Sequence, residues 1–331
     1  MKCALVVGSG SIAKRHIRNL CQLYPDAEVV CVSSSGRKLK ASDVGATRIA
    51  CTMQNAISDK PDIAIVASPA NFHLRHASYL IEAKIPVLIE KPICVELAEL
   101  RRYSLDNSKN KIAVGYNMRF MPAAIAVKQF IDSGALGRIS TVFAEVGQYL
   151  PDWRPETDYR TSVSAQKELG GGALLELSHE LDYLNWFFGS FEEISANINC
   201  IKSLDIDVED TVDALMINKS KISFHLHLDF LQHFPNRSFK AVGENGTLVW
   251  SLLANEVVLY GPRQESEVIY SDTNYERNEM YIEQLRAFLR YARGSGKFES
   301  NLKTSIEVMR LIEAIRLSNQ KRSLIKLKDI K

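Results

Sequence analysis

The stretch Ala4-Leu5-Val6-Val7-Gly8-Ser9-Gly10-Ser11-Ile12-Ala13 decides the fold of the first part of this chain. Its apolar start predicts a short buried strand, and the basic segment from about Lys14 to Leu23 predicts a helix. Glycines between a strand and a helix let the backbone turn tightly and approach a pyrophosphate at the helix N-terminus. The pattern therefore predicts a dinucleotide-binding loop, although a glycine turn without a ligand is the alternative. The predicted cofactor contacts here are Gly8, Gly10, Ser11 and Ile12.

The residues after the second predicted strand, Glu28 to Val32, bear on the choice of cofactor. Proteins that bind NAD usually place an acid here for the ribose 2′-hydroxyl. This chain has Ser33-Ser34-Ser35-Gly36-Arg37-Lys38 instead. Hydroxyl groups and cations suit a 2′-phosphate, which an acid would repel. The sequence therefore favours NADP(H), with NAD(H) as the alternative if these cations lie in a solvated loop. The predicted contacts are Ser33, Ser34 and Arg37.

A further apolar run, Val87-Leu88-Ile89, stops at Glu90-Lys91-Pro92. The run reads as a parallel strand that is buried on both faces, and ligands bind at the carboxyl end of such strands. Lys91 can carry a charge or a proton and is the predicted chemical centre. Neighbouring strands end at the same edge, near residues 66 and 114. The cofactor contacts predicted at this edge are Ser68, Pro69, Asn71, His73, Glu90, Lys91 and Asn117.

The two parts of the chain differ in their order of predicted strands and helices. Strands alternate with helices up to about residue 120, which predicts a doubly wound parallel sheet. After Gly137, seven predicted strands follow with few helices between them, which predicts an open and mostly antiparallel sheet. His225 and His227 alternate with apolar residues on one of these strands, so we interpret them as a polar stripe and not as metal ligands. The uncovered face of the sheet predicts self-association.

Two segments of the second part carry groups suited to proton transfer. Gly170-Gly171-Gly172 precedes Glu176, His179 and Asp182, whose spacing of three places them on one face of a predicted helix. An acid on either side of the histidine favours catalysis, although a lone histidine on a helix is often structural. A polar loop at residues 152–160 adds further candidates. These are Arg154 and Tyr159.

The composition of the 331 residues points away from several classes of protein. A net charge of +2 gives no indication of nucleic acid or of an anionic membrane as a partner. The six cysteines form no CxxC pair, so the sequence predicts neither a zinc site nor a disulfide framework. The N-terminus lacks the features of a signal peptide, and no apolar run reaches the length of a membrane span. We therefore expect a cytoplasmic protein without a metal.

Four motifs in order resemble the Gfo/Idh/MocA oxidoreductases over essentially the full length: Gly8-x-Gly10-x-x-Ala13, Glu90-Lys91-Pro92, Asn117-x-Arg119 and Gly170-Gly-Gly…His179-x-x-Asp182. The resemblance implies a Rossmann domain, predicted at 1–120, and an α/β substrate-binding and oligomerisation domain with an open antiparallel sheet, predicted at 121–331. It implies a nicotinamide cofactor held across Glu90-Lys91-Pro92, often a sugar or cyclitol substrate, and homodimers or homotetramers formed through the C-terminal sheet. Residues 153–160 and 178–182 resemble a subgroup linked to surface-polysaccharide and nucleotide-sugar pathways. The usual Asp of the family stands four residues before the His, whereas here Glu176 stands three before it.

Together these observations predict an oxidoreductase that transfers a hydride between NADP(H) or NAD(H) and a hydroxyl or keto group of a sugar derivative. Lys91 would polarise the reacting oxygen, and His179 would relay or supply the proton. The predicted catalytic residues are Lys91, His179, Glu176 and Tyr159. The predicted substrate-binding residues are Lys91, Arg119, Arg154, Tyr159, His179 and Asp182. Three alternatives stay open: an NAD-dependent glycosidase, a non-catalytic NAD(P)-binding sensor, and a biliverdin-type reductase, which the triple glycine disfavours.

Overall fold

The structure is a computed structural model that describes residues 1–103, 105 and 110–330, except for the side chain at position 264. The chain divides into two compact units. The first comprises Met1–Asn117 and Asn278–Ile306, and the second comprises Met118–Arg277 and the chain from Glu307 onward. The predicted domains, 1–120 and 121–331, divide the chain once, whereas here residues 278–306 group with the first unit. The binding roles assigned to the two predicted domains stay predictions.

The regular elements alternate along the first unit and are mostly strands in the second. The strands are β1 (Cys3–Val7), β2 (Glu28–Val32), β3 (Arg48–Ala50), β4 (Ile63–Val66), β5 (Val87–Ile89), β6 (Ile112–Val114), β7 (Ile139–Gly147), β8 (Phe191–Asn199), β9 (Thr211–Asn218), β10 (Ser223–Asp229), β11 (Asn236–Gly243), β12 (Gly246–Ser251), β13 (Glu256–Tyr260), β14 (Ser266–Ser271) and β15 (Ile325–Lys326). The α-helices are α1 (Ser11–Leu23), α2 (Ala41–Val44), α3 (Met53–Ser58), α4 (His73–Glu82), α5 (Glu99–Arg102), α6 (Pro122–Asp132), α7 (Ala173–Glu176), α8 (His179–Phe188), α9 (Glu279–Ala292) and α10 (Leu302–Lys321).

The first unit contains a six-stranded parallel sheet in the order β3-β2-β1-β4-β5-β6. Its central strands are apolar on both faces and almost fully buried, as expected of a parallel sheet that is covered on both sides. The strand order reverses between β1 and β4. Such a switch point opens a crevice at the carboxyl ends of the strands, where ligands of doubly wound proteins bind. The predicted parallel α/β sheet is confirmed.

The second unit contains a nine-stranded sheet in the order β14-β13-β12-β11-β7-β10-β9-β8-β15. Among the described strands of this sheet, β7 and β10 pair in parallel, and the other neighbours are antiparallel. Helix α8 covers one face, where Tyr183 packs 5.5 Å from Trp250 and Phe188 packs 5.0 Å from Phe224, measured between ring centroids. The predicted mixed, mostly antiparallel sheet is confirmed.

The sequence missed some elements and overextended others. The short strands β3, β14 and β15 were not predicted. A helix is also predicted from about residue 96 to 107. The structure describes the single turn α5 within it, and residues 104, 106 and 107 of that prediction lie outside the described residues. None of the described helices combines the length and the apolar character that crossing a bilayer requires. Within the described ranges, no group of three or more His, Cys, Asp or Glu side chains is arranged to hold a metal ion.

Candidate active site

The two glycines of the first loop, Gly8 and Gly10, have different surroundings. Gly8 has a φ of +121°, and a Cβ added there would overlap the carbonyl oxygen of Ala67 after β4. Gly10 has an ordinary φ of −72°, and an added Cβ would meet no described atom within 4 Å. Gly8 is therefore required by packing within the protein, whereas Gly10 borders open space. That space lies at the N-terminus of α1, whose first residues, Ser11 and Ile12, present backbone N–H groups suited to a phosphate.

The loop after β2 reaches back to the glycine loop. The Arg37 Nη2 donates a hydrogen bond of 2.8 Å to Ser9 Oγ, and the Arg37 side chain is otherwise exposed. Ser33 and Ser34, the other predicted contacts of this loop, are half-buried. The structure therefore brings a guanidinium to the loop in which the sequence places the pyrophosphate.

His73 links two loops at the carboxyl edge of the sheet. Its Nδ1 lies 2.7 Å from the carbonyl oxygen of Pro92, and its Nε2 lies 2.7 Å from that of Ser68. Burial lowers the pKa of the ring, and the two carbonyl oxygens oppose that shift. Because both ring nitrogens face backbone carbonyl oxygens, His73 links the loops that follow β4 and β5, and its predicted cofactor contact stays a prediction.

Other predicted residues at this edge keep open roles. The predicted contact Ser68 has its Oγ 3.0 Å from Nδ1 of His76, and burial lowers the pKa of His76 to about 4, so that this ring is neutral. Pro69 and Asn71 lie at the start of the turn before α4. Asn117 is 2% exposed, and among the described residues its Oδ1 has no hydrogen-bond partner. Such a buried acceptor fits a donor group supplied by a ligand.

Glu90 is held by a histidine that the sequence analysis did not identify. His16 Nε2 of α1 lies 2.6 Å from Glu90 Oε1, and the backbone N–H of Lys91 donates to Glu90 Oε2 at 3.2 Å. A Cβ added at Gly115 would lie 2.8 Å from the same Oε2. Burial alone would raise the pKa of Glu90, but the hydrogen bond and charge of His16, with the charge of Lys91, bring it below its usual value.

The structure thus gives Glu90 a role within the protein, beside the predicted cofactor contact. Its carboxylate ties α1, which begins at the glycine loop, to the backbone of Lys91. The Lys91 side chain is half-buried at the carboxyl end of β5, and its peptide bond to Pro92 is cis. A sequence signal for His16 did exist, because it is a polar residue among Ala13, Ile17 and Leu20 on the buried face of α1.

Helix α8 carries two buried acids, and each is engaged by an arginine of the second unit. Arg119 Nε and Nη2 donate to the two carboxylate oxygens of Asp182 at 2.9 and 2.8 Å. Arg237 pairs in the same two-pronged way with Glu180, at 2.7 and 3.0 Å. Arg119 and Asp182 thus form a buried ion pair within the second unit, and the substrate contacts predicted for them stay predictions.

The segment that carries Glu176 and His179 is not one continuous helix. Helix α7 ends at Glu176 and α8 begins at His179, with a turn at residues 177–178 between them. The predicted single helical face thus holds for His179 and Asp182, but not for Glu176. Both Glu176 and His179 are half-buried. The predicted proton-transfer roles of Glu176 and His179 stay predictions.

The polar loop at 152–160 is anchored by one of its predicted catalytic residues. The Tyr159 hydroxyl donates a 2.7 Å hydrogen bond to the carbonyl oxygen of Leu204. A phenol has a single proton to donate, so in this structure the Tyr159 hydroxyl anchors the loop. Its predicted catalytic and substrate-binding roles stay predictions. Arg154 is exposed, and its predicted substrate contact stays a prediction.

Two models of one family match this chain: "Oxidoreductase family, NAD-binding Rossmann fold" at residues 2–116 and "GFO/IDH/MocA C-terminal domain" at residues 124–249. A levoglucosan dehydrogenase of Pseudarthrobacter phenanthrenivorans is 33% identical over 43% of this chain and 37% of its own length. Inositol 2-dehydrogenase 1 of Saccharopolyspora erythraea is 25% identical over 86% of this chain and 84% of its own length. For two of the curated relatives, the match spans only about half of their length or less.

Solved structures show the same fold at low sequence identity. A levoglucosan dehydrogenase in complex with NADH and levoglucosan superposes with a TM-score of 0.85 at 20% identity, covering 98% of each chain. The WlbA dehydrogenase from Bordetella pertussis in complex with NADH and UDP-GlcNAcA has a TM-score of 0.84 at 22% identity, covering 98% of this chain and 97% of that one. The motif-based resemblance is confirmed by the two family models, and the chain belongs to the Gfo/Idh/MocA oxidoreductases.

Proposed function

We propose that this protein is an NAD(P)-dependent dehydrogenase or reductase that acts on a CH–OH or keto group of a sugar or cyclitol. The observation that carries the proposal lies within the first unit. Gly10 borders open space at the start of α1, and Lys91 stands half-buried at the carboxyl end of β5 in the same sheet. Two relatives are named for dehydrogenation of a sugar derivative and of a cyclitol, which supports the substrate class.

The residues of this chain have separable roles in the proposal. A bound nicotinamide would supply or accept the hydride. The ammonium group of Lys91 stabilises negative charge on the reacting oxygen, and Glu90 fixes the backbone at Lys91. His179 moves the proton, with Glu176 as the neighbouring carboxylate. Arg154, like Arg119, is a candidate to bind an anionic group of a substrate such as a nucleotide sugar.

The cofactor proposal is NADP(H), with NAD(H) as the competing choice. Its support is the hydrogen bond of Arg37 to Ser9 and the lack of an acid at residues 33–38. On the other side, the two similar solved structures named above contain NADH. We expect Arg37→Ala to weaken NADPH binding about 10- to 100-fold, because a charge-assisted hydrogen bond contributes about 1.5–3 kcal/mol. NADH binding should change less than about threefold.

Fluorescence titration of both reduced cofactors tests this choice, with Lys38→Ala as the matched control. Lys38 is the adjacent exposed cation, and its loss should affect both cofactors alike. An equal loss of NADPH and NADH affinity in Arg37→Ala would refute the 2′-phosphate assignment and leave NAD(H).

The activity itself is tested by a screen of sugars, cyclitols and nucleotide sugars with both oxidised cofactors, monitored by reduced nicotinamide. On a substrate found in this way, Lys91→Ala should lower turnover about 10²- to 10⁴-fold. Lys303→Ala, an exposed lysine on α10, is the control and should leave the rate unchanged. Wild-type turnover by Lys91→Ala would contradict the assignment, and glycoside cleavage without net cofactor consumption would favour the glycosidase alternative.

The oligomer proposal concerns the face of the nine-stranded sheet opposite α8. That face exposes Phe143, which is 38% accessible and stacks on His225 at 4.8 Å, together with Leu215 at 42%. Apolar side chains on an uncovered sheet face support a homodimer or homotetramer formed there. Light scattering of Leu215→Asp against the wild type tests it, and an unchanged mass would contradict it. The cytoplasmic location stays a prediction.

A further inference from the structure

The segment at residues 204–210 runs between β8 and β9 and is fastened to the sheet at its end. The backbone N–H of Asp210 donates to the carbonyl oxygen of Asn199 at 3.1 Å, and its carbonyl oxygen accepts from Phe230 at 2.9 Å. The Asp210 carboxylate also accepts from the backbone N–H of Ile201 at 2.8 Å. This end of the segment is thus a fixed point relative to the nine-stranded sheet.

From that fixed point, the 204–210 segment contacts the residues that lead to the proposed catalytic groups. The carbonyl oxygen of Leu204 accepts from the Tyr159 hydroxyl at 2.7 Å. Asp207 Oδ1 accepts from the backbone N–H of Lys167 at 3.0 Å. Every second residue from 205 to 209 is acidic, and two of these three carboxylates accept from backbone N–H groups.

Glu209 bonds to two residues that shortly precede Glu176 in the sequence. Its carbonyl oxygen accepts from the backbone N–H of Ala173 at 3.1 Å, and its Oε1 accepts from Leu174 at 3.1 Å. These are N–H groups of the first turn of α7, which have no partner within the helix. Burial raises the pKa of the Glu209 carboxyl, and its hydrogen bonds to backbone N–H groups oppose that shift.

Close packing explains why glycines stand at positions 171 and 172. A Cβ added at Gly172, whose φ is +106°, would overlap the carboxylate of Glu209. A Cβ at Gly171 would overlap the carbonyl oxygens of Val163 and Ser164. The two glycines therefore allow the close approach of a side chain and of a neighbouring loop.

We propose that the 204–210 segment is a positioning element that fixes the polar loop and the start of α7 to the sheet, with Glu209 as its principal positioning residue. Through α7 and the turn at 177–178 it sets the place of Glu176 and His179. The inference rests on the proposed function only for its effect on turnover. The structural linkage itself can be tested without a substrate.

The first test measures turnover in Glu209 variants. Glu209→Ala should lower kcat about 10- to 100-fold, because a misplacement of about 1 Å can cost about 10²-fold in rate. Cofactor affinity should stay within about twofold of wild type, because the glycine loop belongs to the first unit. Glu209→Gln keeps an acceptor oxygen for Leu174 and should restore kcat to within about threefold.

The matched control is Asp205→Asn in the same segment. The Asp205 side chain is 87% exposed, and its ion pair with Arg160 spans 3.7 Å. Asparagine also tolerates its φ of +51°. We expect wild-type kcat for this variant. If Glu209→Ala does not fold, Asp207→Ala replaces it, with an expected loss in kcat of about 3- to 10-fold and recovery in Asp207→Asn.

The second test is hydrogen exchange of the same variants without substrate. Peptides that cover residues 159–179 should exchange at least about tenfold faster in Glu209→Ala, while β9 and β10 keep wild-type protection. Unchanged exchange there, or an equal kcat loss in Glu209→Gln and Glu209→Ala, would overturn the positioning role. A wild-type protein that turns over no substrate would refute the proposed function, and the exchange result would still decide this inference.

Discussion

Removal of one partner from the Arg119–Asp182 pair should destabilise the second unit strongly. The two side chains are 3% and 1% exposed and share two hydrogen bonds of 2.9 and 2.8 Å. Asp182→Ala leaves a buried guanidinium without its carboxylate, for which we expect a loss of about 3–5 kcal/mol in the free energy of unfolding. Arg119→Met strands the carboxylate and should cost a similar amount.

Replacement of both partners by apolar residues removes both desolvation penalties. Arg119→Met/Asp182→Leu should therefore lie within about 1–2 kcal/mol of the wild type, far less destabilised than either single variant. Urea unfolding followed by tryptophan fluorescence suits this measurement. All three tryptophans, at 153, 186 and 250, lie in the second unit, and Arg119 sits 5.6 Å above the ring of Trp186.

These single and double variants also distinguish an internal ion pair from the substrate contact predicted from sequence. If the pair is internal, the folded double variant keeps a wild-type KM for its substrate. Arg138→Ala, which removes an exposed pair with Glu244 in the same unit, is the control and should cost less than about 1 kcal/mol. Destabilisation in the double variant equal to the sum of the single losses would refute the reasoning.

Three further predictions address other parts of the chain. Gly8→Ala should prevent folding of the first unit, whereas Gly10→Ala should fold normally and lose cofactor affinity by at least about tenfold; circular dichroism and cofactor titration separate the two. His16→Ala leaves the buried carboxylate of Glu90 without its side-chain donor, and we expect a loss of about 3 kcal/mol in unfolding free energy, measured by thermal denaturation; a loss below about 1 kcal/mol would contradict the contact. The hydrogen bond to a neighbouring carboxylate raises the pKa of His227 to about 9, so its stabilisation is complete below about pH 6.5 and is lost as the pH rises through 9. Because the ring is 37% exposed, we expect about 1 kcal/mol, seen as a difference between His227→Gln and wild type at about pH 6 that vanishes at about pH 10; a constant difference would contradict it.

Local pattern was sufficient for most of the fold. The strands that end at Val7, Val66 and Ile89 belong to a parallel sheet and are buried on both faces. Such strands read as continuous apolar runs, and a single sequence displays these runs directly. The alternation on β10, with Phe224 inside and His225 outside, likewise fixed the orientation of the second sheet. The short strand β15 was missed because two residues form no pattern. It is defined by its pairing with β8, which lies far away in the sequence.

The site was predicted less completely because the roles of its acids are set by distant partners. Around His179 the sequence offers Glu176, Glu180 and Asp182 at short spacing, and nothing local distinguishes them. The structure distinguishes Asp182 and Glu180 by their ion pairs with Arg119 and Arg237, which lie 63 and 57 residues away in the sequence.

The same logic explains the departure at Glu176 from the usual family spacing. A spacing of three or of four would be equivalent on a continuous helix, since both positions share a face. The turn between α7 and α8 removes that equivalence, so the reach of the carboxylate depends on where α7 begins. That start is held by Glu209, 35 residues beyond the Leu174 N–H that it accepts. The geometry of the proposed proton-transfer residues therefore depends on the 204–210 segment as much as on the motif that contains His179.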